Sequence, residues 1–105
     1  MSEGYNLIFD EVILNQLKDA AKNQQVKDIL RRMLDKIEVF GPRAGKLLDS
    51  RIFLYEVKNK HPPIRLYFKP KVGSNEVYVF EFEMKTSEKG QQKTIERLKK
   101  RVLEA

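Results

Sequence analysis

The stretch from Ile64 to Lys85 constrains the fold of this chain more than any other. It reads as two adjacent strands, Ile64-Arg65-Leu66-Tyr67-Phe68-Lys69 and Val77-Tyr78-Val79-Phe80-Glu81-Phe82-Glu83-Met84, joined through the turn Lys71-Val72-Gly73-Ser74-Asn75. Side chains along a strand alternate between the two faces of a sheet. Ile64, Leu66 and Phe68 are therefore expected on one face, and Arg65, Tyr67 and Lys69 on the other. In the second run, Tyr78, Phe80, Phe82 and Met84 are expected together, with Val77, Val79, Glu81 and Glu83 opposite. One face should be a core, and the other should carry cations and carboxylates.

The rest of the chain supplies what that core packs against. Tyr5 to Phe9 is a short apolar strand, and Asp10 has the chemistry of a helix N-cap. Phe9 and Leu14 are placed to staple the helix start. Ile13, Leu17, Ala20 and Ala21 give a helical stripe to about Lys22. After a break at Asn23-Gln24-Gln25, a second stripe of Val26, Leu30, Met33, Ile37 and Phe40 predicts a helix from about Gln25 to Phe40, which Gly41-Pro42 ends. Gly41 to Gly45 is expected as a loop. A strand is expected around Ile52 to Lys58, followed by a turn at Asn59-Lys60-His61-Pro62-Pro63. Ser87 or Thr86 can cap a last helix from about Lys89 to Glu104. The expected order is β-α-α-β-β-β-α, an α+β fold with a helical hairpin and a C-terminal helix on an antiparallel curved sheet.

The 105 residues suit a single domain, 1–105, and a 41% hydrophobic content is enough for one core. A formal net charge of +6 implies an acidic partner, either nucleic acid or an acidic protein. The absence of cysteine excludes disulfides, thiolate chemistry and cysteine-ligated metals. No apolar run approaches the roughly 20 residues of a membrane span, and Met1-Ser2-Glu3-Gly4-Tyr5 lacks the pattern of a signal peptide. The expectation is an intracellular, cytoplasmic protein without a membrane partner.

His61, the only histidine, sits in a turn before two prolines and makes a poor metal ligand. It reads as an exposed side chain or as a proton donor in a loop. Glu81 and Glu83 read as cross-strand partners of Arg65, Lys58 or Lys69. Glu56 suits either ion pairing or acid–base work. Lys58 ends one strand, Arg65 begins the next and Lys85 ends the third, so an antiparallel meander gathers all three at one end of the sheet. Arginine grips phosphate with a planar fork and lysine acts as a point charge. Such a cluster can stabilise charge on a phosphoryl oxygen, or it can be three solvated charges. Lys60, Lys69, Lys89, Lys93 and Arg97 are candidate RNA contacts. On the last helix, Lys93, Arg97, Lys100 and Arg101 are expected opposite the apolar stripe of Ile95, Leu98 and Val102, as an RNA-tracking face or a solvated one.

At these residues the chain resembles the RelE/ParE superfamily of toxins from toxin–antitoxin pairs, most closely its HigB-like, phage-derived branch. Leu54-Tyr55-Glu56-Val57-Lys58 is similar to that branch's aromatic-Glu-Leu-Arg strand, and Ile64-Arg65-Leu66-Tyr67-Phe68 to its Tyr-Arg-Val-(Phe/Leu)-Tyr-(Phe/Tyr) strand. The segment from Phe82 to Gly90 is similar to its Phe-x-Lys-Lys-Thr-x-Lys-Thr-Pro segment. The resemblance implies a RelE-like fold and a ribosome-dependent, metal-independent mRNA endonuclease without a cofactor, neutralised by a cognate antitoxin. It implies that Lys58 and Arg65 hold the scissile phosphate, that Lys85 neutralises developing charge and that Glu56 is the general base. Lys58, Met84 and Gly90 depart from the branch's arginine, lysine and proline, and no histidine or tyrosine follows Tyr78 to serve as the acid. Two alternatives stand beside this reading. One is a RelE-fold protein without RNase activity, either a degenerate toxin or a ParE-like inhibitor of gyrase. The other is a basic RNA- or protein-binding module.

Overall fold

The structure, a computed structural model, describes residues 4–84 and 88–104. Lys85 and the capping candidates Thr86 and Ser87 lie outside the described residues. The expected strand pair is present as β4 (Ile64–Pro70) and β5 (Glu76–Met84), antiparallel, with Ile64 opposite Met84 and Pro70 opposite Val77. On one side of this pair lies β3 (Leu54–Asn59), then β2 (Lys46–Asp49); on the other lies β1 (Asn6–Phe9), parallel to β5. The helices are α1 (Glu11–Ala20), α2 (Gln24–Phe40) and α3 (Glu88–Glu104). The fold is α+β, a five-stranded curved sheet with three helices.

Local chemistry accounts for most boundaries. Asp10 caps α1 by accepting from the Val12 amide at 2.9 Å, and Asn23 caps α2 by accepting from Val26 at 3.2 Å. Gly41 ends α2 with φ +59, and a Cβ there would sit 2.4 Å from the Tyr5 ring, so only glycine fits. Gly41–Ala44 is a short 3-10 turn where a loop was expected. Leu14 and Phe40, expected in a staple and an apolar stripe, are about half exposed.

The structure adds β2, a four-residue edge strand. Its neighbouring Leu47 and Leu48 do not alternate with polar residues, so the pattern of a half-buried strand is missing. The next strand starts at Leu54, two residues later than expected. Asp49 accepts from the Arg51 amide at 2.9 Å, which turns the chain, and Phe53 takes a left-handed φ of 53° before β3 begins.

The largest departure is the face assignment in β5. Tyr67 pairs with Glu81 but Phe68 pairs with Val79, so Phe80 is an extra residue in a β-bulge. The bulge reverses the alternation. Val77, Val79 and Phe82 join Ile64, Leu66 and Phe68 in the core beneath α1 and α2, with Ile13, Leu30, Met33 and Ile37. Tyr78 and Phe80 fall on the opposite face with Tyr67, Leu54 and Ile52, beneath Leu98 of α3. Both faces of the sheet are therefore covered, and the face expected to be polar is a second, smaller core. Gln16 of α1 replaces the strand partner that β1 is too short to supply. Its amide donates to the Phe82 carbonyl and its oxygen accepts from the Phe82 N–H, both at 2.8 Å.

Candidate functional site

Antiparallel pairing puts Lys58 opposite Arg65, Glu56 opposite Tyr67 and Arg65 opposite Glu83. Directly paired residues share a face, and here it is the face that α3 covers. Lys58 is exposed at its edge. Arg65 keeps a quarter of its side chain exposed and lies 3.6 Å from Glu56 Oε1. The expected neighbours Lys58 and Arg65 are thus brought together; the third, Lys85, is outside the described residues.

Glu56 is not a solvent-facing base. It is 3% exposed, and its Oε1 also accepts from Gln91 Nε2 of α3 at 3.0 Å. A buried carboxylate needs partners of this kind, and its charge draws the Arg65 guanidinium towards it.

The other acids have different partners from those expected. Glu83 accepts from the Tyr67 hydroxyl at 3.0 Å and from Thr94 Oγ1. Burial, and after it the charge of Glu83, pushes the Tyr67 phenol well above its ordinary value, so it does not give up a proton near neutrality. Glu81 is 4% exposed and takes both prongs of Arg97, at 2.8 and 2.7 Å, together with Arg101 Nη1. The Glu81 hydrogen bonds raise the Arg97 pKa further. Arg101 also reaches Asp10 at 2.9 Å and lies 5.8 Å from the centre of the Phe80 ring.

These contacts reassign several candidate RNA residues. Arg97 and Arg101 are committed to Glu81, so the outer face of α3 does not present them as unengaged cations. Lys69 donates to the Ile52 carbonyl and its ammonium lies 5.5 Å from the Phe53 ring centre, so it is held at the Phe53 end of the sheet and not beside Arg65. Lys60, Lys89 and Lys93 are exposed, as is His61 in the β3–β4 turn at the end of the sheet that carries Arg65. Among the described residues, no group of His, Asp and Glu side chains gathers to hold a metal ion, and no helix is long and apolar enough to cross a membrane.

Gln91 and Thr94 carry no signal in a pattern of apolar residues alone. They precede Leu98 by seven and four positions on α3, the spacing of one helix face. Extending that stripe towards the N-terminus would have found them.

Neither a protein-family model nor a curated protein sequence matches the chain. Solved structures do. The isolated E. coli RelE toxin superposes with a TM-score of 0.65 at 21% identity, over 90% of this chain and 98% of that one. The E. coli RelBE toxin–antitoxin complex gives a TM-score of 0.64 at 23% identity, over 79% and 99%. The RelBE2 toxin–antitoxin complex from Mycobacterium tuberculosis gives 0.62 at 12% identity, over 78% and 99%. At these identities the likeness is one of fold, and the fold is RelE-like.

Proposed function

We propose that this chain is the toxin of a toxin–antitoxin pair, of the HigB-like kind, and that it cleaves mRNA on the ribosome in the cytoplasm. The observation that carries this reading is Arg65, paired with exposed Lys58 at the sheet end and drawn towards buried Glu56. A guanidinium paired across the ladder with a lysine suits a phosphate whose charge rises as the RNA 2′-hydroxyl attacks it. The RelE-like fold and the motif resemblance support the same reading. Lys85 joins this cluster in the reading as the group that neutralises developing charge. Exposed Lys60, Lys89 and Lys93 add salt-dependent attraction to the RNA backbone. An antitoxin with an acidic or amphipathic segment would neutralise the basic surface.

The test is expression in a bacterial host with primer extension on mRNA. Growth arrest with new cleavage ends is expected, and both should disappear for Arg65→Ala while the protein remains folded. Normal growth with abundant folded wild-type protein would overturn the reading. One observation favours a RelE-fold protein without RNase activity: the best-placed carboxylate, Glu56, is covered by Gln91. Intact mRNA alongside inhibited DNA supercoiling would select that alternative.

A further inference from the structure

Phe53 is an uncomfortable residue where it stands. Its φ of 53° lies in the left-handed region, where a bulky side chain is a genuine outlier. Its side chain gains little from burial in return, since the residue is 43% exposed beside the fully packed Leu54. The strained backbone turns an aromatic ring outward at the end of the sheet opposite Arg65.

The surroundings of that ring are cationic. The Lys69 ammonium lies 5.5 Å from the ring centre and is itself anchored on the Ile52 carbonyl. Arg51, two residues earlier, has a side chain 77% exposed, although it touches Asp49 at 3.3 Å. Lys99 reaches the same Asp49 at 3.2 Å. Two cations thus share one aspartate, and a third lies over the exposed aromatic ring. Beyond Lys69, a cavity of about 400 Å³ opens between Tyr78, Phe80 and Val102, with Lys71 at its rim. Aromatic rings interleaved with cations are how proteins hold single-stranded nucleic acid without reading its sequence, the bases stacking and the cations following the phosphates.

We infer that Phe53 is a stacking platform for an unpaired base of single-stranded RNA, with Lys69 and Arg51 attracting the flanking phosphates. The inference rests on the RNA-binding part of the proposed function but concerns a second site. Lys69 stands four residues from Arg65 on β4, about 13 Å along the strand at ~3.3 Å per residue. A strand held at Arg65 would gain a second hold at Phe53.

The chain has no tryptophan, so Phe53→Trp supplies a single fluorescent reporter at the site. It is titrated with a short single-stranded oligoribonucleotide at low salt, with wild type and Phe53→Gly followed by filter binding. Quenching of the tryptophan is expected on RNA addition. Phe53→Gly should bind about 5- to 150-fold more weakly, while its thermal unfolding stays at or above that of wild type because glycine accepts the left-handed φ. Glycine binding as tightly as phenylalanine, or RNA binding to Phe53→Trp without quenching, would overturn the inference alone. Wild type that binds no RNA would take down the RNA reading and the platform together. Lost binding with lost thermal stability would mark Phe53 as structural and refute the platform.

Discussion

Among the described side chains of α3, Ile95, Leu98 and Val102 form the apolar stripe, so its seat on the sheet should depend on Glu81. Replacing Glu81 with glutamine keeps the shape and removes the charge facing Arg97 and Arg101. Breaking a buried pair by removing one partner costs about 3–5 kcal/mol, because the other charge stays buried. The lower end applies here. The Arg97 side chain is 53% exposed and can turn to water, and Arg101 keeps Asp10. A loss of about 3 kcal/mol lowers the melting temperature of a domain near this size by about 12–24 °C. Urea unfolding reads the loss as a shifted midpoint at constant slope, and hydrogen exchange should show faster opening of the α3 amides than of β4. A second variant tests the cause. Glu81→Met with Arg97→Leu and Arg101→Met removes every charge of the clamp, and stability should largely return. If Glu81→Gln stays within about 0.5 kcal/mol of wild type, the range of an ordinary surface change, the clamp does not seat the helix and the reasoning fails.

Tyr67→Phe removes a hydrogen bond to an ionised carboxylate and should cost about 1.5–3 kcal/mol by urea titration. Burial raises the folded phenol above the 10.0 of an ordinary tyrosine. The unfolded chain therefore releases this proton first, so wild-type stability is whole below that value and falls as pH rises past it. The phenylalanine variant should flatten that alkaline slope. At Gly45 a Cβ would lie 2.1 Å from the Glu56 carbonyl oxygen and 2.8 Å from its carbon. Gly45→Ala should thus force β2 from β3 at a cost of about 3 kcal/mol. Gly73→Ala meets nothing within 4 Å and has only its φ of +80° to strain it, a cost of about 1 kcal/mol. Thermal unfolding of the two variants side by side checks the contrast.

The β3–β4–β5 meander was legible because alternation and turn residues agree there, and the expected neighbours Lys58 and Arg65 are partners in the ladder. The cap at Asp10 was legible for the same local reason, whereas Asn23, read only as part of the break, proves to cap α2. The bulge was not. Phe80-Glu81-Phe82-Glu83 alternates perfectly, yet its phase is opposite to that of Val77 and Val79, and one extra residue reconciles them. Charge was legible in amount but not in destination. Arg97 and Arg101 sit on a helix face that looks solvated, and they turn to Glu81 because α3 covers the face that Glu81 shares with Tyr67. The partners of Glu83 and Glu56 come from α3 through Thr94 and Gln91, side chains too common to stand out before the helix is placed.

That inward turn changes how the candidate site depends on the rest of the molecule. An apolar stripe holds a helix by area and tolerates small rotations, because contact between aliphatic groups has little direction. A two-pronged arginine–carboxylate contact fixes both distance and plane. Arg97 on Glu81, Thr94 on Glu83 and Gln91 on Glu56 are spaced along one side of α3, so a rotation that breaks one strains the others. Glu56 in turn draws Arg65 towards it. The orientation of the phosphate-binding candidate therefore depends on how α3 is seated, through a chain of contacts that runs from Glu81 to Glu56.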